Sequence, residues 1–370
     1  MDFDLAIVGA GIVGLAHAWH ASRAGLRVVV LERDGYAVGA SIRNFGHICT
    51  TAQDDIALEY ALRARQEWLT LAREAGIPVR AEGTVVVARR AEELAVLEQF
   101  AAARGADQVT MLDPAGASDR LGFTPPGLLG AAHLPLDLRV DSPTAVPALA
   151  AHLAALGVDV RFGVNVTGVE SGLVHTTRGE VRAERVIVAV GHDVDRFFPD
   201  LAAEHGVTRC RLRMLEADAP RGVDVAPGVL TGLSLLRYDG FARTAAAAEL
   251  RAAIAADAPE LVARGVNLMF TQRLPHSEAA GRLVLGDTHH YEDTESPFED
   301  EESDQLLLEE FRRLLGADEL RVRRRWRGVY ASSPQGPYLV ADPLPGVTAV
   351  SVTSGIGMTT ALGLAASVLP

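Results

Sequence analysis

Asp4-Leu5-Ala6-Ile7-Val8-Gly9-Ala10-Gly11-Ile12-Val13-Gly14 decides the fold. An apolar run ends in a glycine turn, and a helical pattern follows over Ile12–Ala24, closed by Gly25. A second apolar strand, Arg27–Glu32, comes next, so the chain opens as a βαβ unit. In such a unit Gly9 makes the tight turn, Gly11 admits a pyrophosphate to the backbone, and Gly14 lets helix pack on strand. The N–H groups of Ile12 and Val13 then face the phosphates at the helix start. Glu32 falls 18 residues after Gly14, near the ~20 expected of a ribose-binding carboxylate. Arg33 beside it leaves a 2′-phosphate open at this point.

Two further glycine-rich stretches point to a flavin. Gly39-Ala40-Ser41-Ile42-Arg43-Asn44-Phe45-Gly46 is small enough to run along a cofactor, and Ser41, Arg43 and Asn44 bring donors. Ser354-Gly355-Ile356-Gly357-Met358-Thr359-Thr360 opens the last helix, Ile356–Leu369. Its free N–H groups and positive dipole end suit the N1–C2=O edge of a flavin, where charge collects on reduction. The expected cofactor is FAD.

The 370 residues are 48% hydrophobic, enough for a large core and about two domains. Net charge is −13, which disfavours a nucleic-acid partner. No apolar run reaches membrane-spanning length. The start, Leu5–Val8, lacks the basic leader and length of a signal peptide. Cys49 and Cys210 stand far apart in no metal spacing, so a reducing, cytoplasmic compartment is expected. Lysine is absent and all 35 basic residues are arginine, which removes any Schiff-base lysine or lysine base.

Strand-like runs at 185–190 and 347–352 read as buried parallel strands. Those at 209–217, 266–273 and 282–286 look antiparallel. Residues 1–80, 141–206 and 321–370 are therefore expected to form a discontinuous FAD-binding domain, with 81–140 and 207–320 as the substrate domain.

The three glycine motifs, in this order, resemble those of the D-amino-acid oxidase superfamily, which includes glycine and sarcosine oxidases. Val186–Gly191 matches that family's strand beside FAD, and Val166 the position whose backbone meets the adenine. The resemblance implies an α/β fold: a Rossmann-type FAD-binding domain with an inserted α+β substrate domain on an antiparallel sheet. Ala40–Gly46, Ser234–Tyr238, Asn267–Arg273, Gly286–Tyr291 and Arg325–Ala331 are similar to an aminophosphonate-associated clade. That similarity implies oxidation of 2-aminoethylphosphonate or a close relative, hydride passing to flavin N5 and the imine hydrolysing to an aldehyde.

One position departs from the superfamily. Its amino-acid oxidases typically carry a carboxylate-reading arginine shortly after a Trp-x-Gly turn, whereas Trp326-Arg327-Gly328-Val329-Tyr330 has tyrosine. Arg43, Arg237 and Arg273 are the candidate anion readers, with Tyr238, Tyr330 and His289 adding hydrogen bonds. His290 and Tyr291 are weaker candidates. No side-chain base is identifiable. The acceptor is O2 or another oxidant. Related sarcosine oxidases activate oxygen with a lysine, so Arg273 or His289 is expected to substitute. Glycine, sarcosine or D-amino-acid oxidation is the alternative reading, followed by an NAD(P)H-dependent hydroxylase or a non-catalytic flavin protein.

Overall fold

The computed structural model describes residues 2–369. Phe3–Val8 is the centre of a parallel sheet. Val28–Glu32 pairs on one side, Leu5 opposite Val28, and Gly179–Val188 on the other, Val8 opposite Val188. Asp159–Phe162 extends the sheet beyond Val28–Glu32, and Val347–Val352 extends it beyond Gly179–Val188. Tyr338–Leu344 closes that edge antiparallel. Leu5, Ala6, Ile7, Val29 and Val30 are fully buried, as strands covered on both faces require.

Ile12–Arg23, Ser142–Ala155 and Gly357–Val368 share a core that contains the wholly buried Trp19 and Trp68. Asp55–Glu74 packs on the last helix, and Trp68 Nε1 donates to the Met358 carbonyl at 2.9 Å. Gly14 is required where the first helix crosses the first strand, since a Cβ there would stand 2.0 Å from the Gly9 carbonyl oxygen.

A second sheet runs Val322–Ser332, Thr208–Ala217, Leu283–Glu292, Met269–Gln272, Gly228–Leu230, Thr84–Ala88, Gly130–Leu134, Thr110–Leu112. It is antiparallel except where Gly228–Leu230 lies parallel to Thr84–Val86. Helix Glu301–Leu315 covers it, with Phe311 edge-on to Phe270 at 6.2 Å. The α/β class and the antiparallel second layer are as expected.

Three local readings differ. Val322–Ser332, grouped by sequence with 321–370, hydrogen-bonds along Thr208–Ala217 in the second sheet. The strand expected to end at Gly286 continues to Glu292, because Thr208–Leu212 supplies a partner for its far half. His47–Ile48, Leu138–Val140 and Val79–Arg80 form a small sheet too short to show periodicity in sequence. Among the described residues no helix is long and apolar enough to cross a membrane.

Candidate active site

A cleft of about 460 Å³ runs from the carboxyl ends of the parallel strands to the second sheet. The strand-to-helix turn places Gly9, Gly11, Ile12 and Val13 along it, and Gly14 lies one residue inside the helix. Glu32 ends its strand at the same edge. Its Oε2 accepts from the Ala10 N–H at 2.9 Å and its Oε1 from the Asp34 N–H at 3.1 Å. The carboxylate is thereby held against the glycine turn. Arg33 reaches the other way, Nη1 to Asp193 Oδ2 at 2.8 Å, so its charge is already matched. Val166 and Gly191 line the same end.

The second glycine stretch is stiffened from within. Ser41 Oγ accepts from the Ile12 N–H at 2.9 Å, which ties loop to helix start. The Asn44 amide donates to the Ala40 and Ser41 carbonyls at 2.9 and 3.0 Å, and its oxygen accepts from Gly46 N–H at 2.8 Å. The expectation that Asn44 supplies donors to a cofactor is therefore corrected: both are spent shaping the loop. Ala40 and Ser41 line the cleft; Gly46 packs its backbone on Val140 instead.

At the opposite wall the last helix begins. Gly355, Gly357, Met358 and Thr359 line the cleft. The N–H groups of Gly357 and Met358 make no hydrogen bond among the described residues. Gly355 lies at φ +74°, and a Cβ there would meet the Tyr330 ring at 2.9 Å, so this turn and the tyrosine are built against each other. Thr359 Oγ1 accepts from the Cys49 N–H at 3.1 Å, joining helix start to the second loop. A long cleft with a glycine turn at one end and unpaired helix N–H groups at the other fits FAD. Glu32 would hold the ribose, Gly11 and Ser41 the pyrophosphate, and Gly357 and Met358 the flavin edge.

The anion candidates separate. Arg43, Tyr238 and Tyr330 line the cleft. Among the described residues the Arg43 side chain makes one hydrogen bond, Nη1 to the Arg327 carbonyl at 3.4 Å, and no ion pair. Arg237 and His289 lie behind the wall. Arg237 Nη2 donates to the Tyr330 hydroxyl at 2.8 Å and the Ser354 carbonyl at 3.3 Å, and its Nε to His289 Nε2 at 3.3 Å. That contact fixes the imidazole tautomer, so His289 Nδ1–H donates to the Gly265 carbonyl at 2.8 Å. Burial and the neighbouring guanidinium push His289 down to about 3, which leaves it neutral. Burial disfavours charge on Arg237 too, but Tyr330, Tyr291, Tyr238 and Asp287 outweigh it and hold the guanidinium charged.

Arg273 is outside the cleft. Its Nη1 bonds Asp141 Oδ1 at 2.7 Å and its Nε bonds Glu216 Oε2 at 3.3 Å, a buried structural ion pair. The expectation that Arg273 reads substrate or activates oxygen is corrected on that ground, and neutral His289 cannot supply a positive charge either. Sequence reading missed Asp287, Met269 and His47. Asp287 is buried beside Arg237, and burial pushes its carboxyl up to about 7 with Oδ1 unpartnered. Met269 lines the cleft and receives the Tyr238 hydroxyl at 3.6 Å.

Cys49 lines the cleft, but burial and the Asp137 carboxyl push its thiol well above the usual range. Burial pushes Cys210 up to about 11. Thiols so poorly ionised are weak nucleophiles. Acid precipitation should therefore release all the flavin, and colour retained in the washed pellet would show a covalent link.

The comparisons place this geometry among known proteins. A family model described as FAD dependent oxidoreductase matches residues 4–368. A D-amino acid dehydrogenase of Phenylobacterium zucineum is 27% identical across 54% of this chain and 62% of its own. The chain spans 58 to 62% of the length of the curated relatives it matches. Among solved structures, a glycine oxidase from Bacillus cereus superposes with TM-score 0.79 at 18% identity, over 99% of this chain and 96% of that one. An L-α-glycerophosphate oxidase from Mycoplasma pneumoniae, with FAD bound, gives TM-score 0.77 at 17% identity over 99% and 94%.

Proposed function

This chain belongs to the family of FAD-dependent oxidoreductases, and from that premise we propose that it oxidises a small amine bearing a phosphonate, such as 2-aminoethylphosphonate. FAD, when bound, supplies the chemistry by accepting a hydride from the carbon beside the amine. The parallel-sheet side of the cleft is then the cofactor's, and the second sheet closes the substrate end through Tyr238, Met269 and Tyr330. Those residues orient the amine and keep water from it.

The carrying observation is the charge at the substrate end. Arg43 lines the cleft with no carboxylate partner, and Tyr330 stands where amino-acid oxidases of this kind typically have arginine. A phosphonate dianion has three oxygens to share between Arg43 and the Tyr330 hydroxyl, which Arg237 backs at 2.8 Å. A carboxylate would leave some of these donors unpaired, at a cost of about 1–3 kcal/mol each.

Amino-acid oxidation is the second reading, favoured by the sequence similarity to a D-amino acid dehydrogenase. Anaerobic bleaching of the bound flavin by a panel of amines separates the two. 2-Aminoethylphosphonate or its N-methyl form should exceed glycine, sarcosine and D-alanine by more than about tenfold in kcat/KM, equivalent to ~1.4 kcal/mol. Equal or faster bleaching by an amino acid would overturn the phosphonate assignment and leave amine oxidation standing.

A further inference from the structure

His47, Cys49 and Asp137 lie together, all buried, and two of them, His47 and Cys49, are in the cleft wall. They come from the small three-stranded sheet and the turn before it: His47–Ile48 pairs Leu138–Val140, and Asp137 immediately precedes that strand. His47 Nε2 is 2.6 Å from Thr84 Oγ1 and 3.5 Å from Asp137 Oδ2. Asp137 Oδ1 accepts from the Thr51 N–H and hydroxyl at 2.8 and 3.0 Å, so the carboxylate is anchored independently of the histidine. The other ring nitrogen, His47 Nδ1, is buried with no hydrogen-bond partner. A buried imidazole costs free energy when one nitrogen is left unpaired. The cradle of Thr84 and Asp137 fixes the ring through Nε2 and keeps Nδ1 in reserve.

We propose that His47, oriented by Asp137 and Thr84, accepts the proton that the substrate ammonium must lose before its carbon can give up hydride. This rests on the amine reading above. The ammonium N–H bond breaks, its electron pair stays on nitrogen as the lone pair, and the proton bonds to His47 Nδ1. Asp137 remains a carboxylate and offsets the imidazolium, in the role of an orienting group behind a histidine base. The other titratable or charged groups around the pair are Cys49, Tyr238, His133 and Arg139. Cys49 and Tyr238 are held un-ionised by burial. Burial pulls His133 below its ordinary range. Arg139 directs its guanidinium to the carbonyls of Val225, Ala226, Pro227 and Gln272. His47 is thus the group of this cluster able to change charge.

Two measurements on the FAD-loaded protein test this. The first uses 15N-histidine labelling and 2-amino-2-methylpropylphosphonate, an amine whose carbon bears no hydrogen and cannot be oxidised; 2-aminoisobutyrate serves as its carboxylate counterpart. Addition of whichever probe binds should move one imidazole signal, the one missing from His47→Gln, to the imidazolium position, and the shift should be lost in Asp137→Asn. The second is the pH dependence of anaerobic flavin bleaching. His47→Gln should slow it about a hundredfold at neutral pH, the scale of a lost general base. The deficit should close towards pH ~10, where the free amine predominates in solution without help. FAD content should match the parent protein in each variant.

A pH-independent deficit, or a silent imidazole signal with probe bound, would overturn the proposal. So would one equivalent of zinc that disappears in Cys49→Ser, since these N, S and O donors would then be metal ligands. If no amine bleaches the parent protein's flavin, the amine reading itself fails; bleaching that is normal in His47→Gln overturns only this inference.

Discussion

Gly11→Val should purify colourless. A Cβ at residue 11 would stand 3.1 Å from Ser41 Oγ, the atom that accepts the Ile12 N–H. The γ-methyls of valine would displace that hydroxyl and fill the approach to the helix N-terminus. Backbone strain is not the cause, because Gly11 has φ −72° and ψ 173°, open to any residue. Ser41 is a small side chain that can rotate aside, so the fold should survive. The pyrophosphate cannot move aside, and it would lose contacts worth about 1.5–3 kcal/mol each. Two such losses weaken FAD by on the order of a thousandfold. Flavin absorbance of the purified protein, with a thermal melt of the apoprotein as control, reads the effect directly. Gly14→Val makes the contrast: its Cβ would meet a backbone oxygen at 2.0 Å, so the protein itself should fail. Full FAD occupancy in Gly11→Val would mean the cofactor is placed wrongly.

Arg43→Met should retain FAD and lose substrate. Arg43 lines the cleft and has no ion-pair partner among the described residues, so its charge is available to a bound anion. Methionine keeps much of the stem's volume and removes the charge. A charge-assisted bond of about 1.5–3 kcal/mol then disappears, a fall of roughly ten- to 150-fold in kcat/KM. Because the anion is held in ground and transition state alike, the change should sit mainly in KM. Arg273→Met should behave differently. It leaves Asp141 without its ion pair and Glu216 with Arg282 alone, so it should lower Tm and leave KM unaltered. A normal KM in Arg43→Met, or loss of FAD in place of substrate, would remove Arg43 from the substrate site.

Sequence and structure divide the evidence by distance along the chain. The cofactor side was legible because its signals are local. Gly9–Gly14 must follow a strand and open a helix, and Glu32 must end the next strand, whatever the rest of the chain does. The same holds for the glycines before the final helix, where turn geometry and free helix N–H groups are properties of a few consecutive residues. The buried parallel strands announced themselves as unbroken apolar runs.

The substrate side is made of contacts between distant residues, and sequence carries no distance. Arg43, Arg237 and Arg273 are chemically identical in a list. Only packing shows that Arg43 is in the cleft, that Arg237 bonds Tyr330 93 positions away, and that Arg273 is held by Asp141 and Glu216. His47 and Asp137 sit on segments of two or three strand residues, too short for periodicity, and meet because those strands pair. Asn44 shows the same limit at short range, since its donors turn inward to the Ala40 and Ser41 carbonyls. Backbone conformation follows from neighbouring residues; which charges remain unpaired follows from the whole tertiary arrangement, because burial and partners are set by elements far apart in the chain.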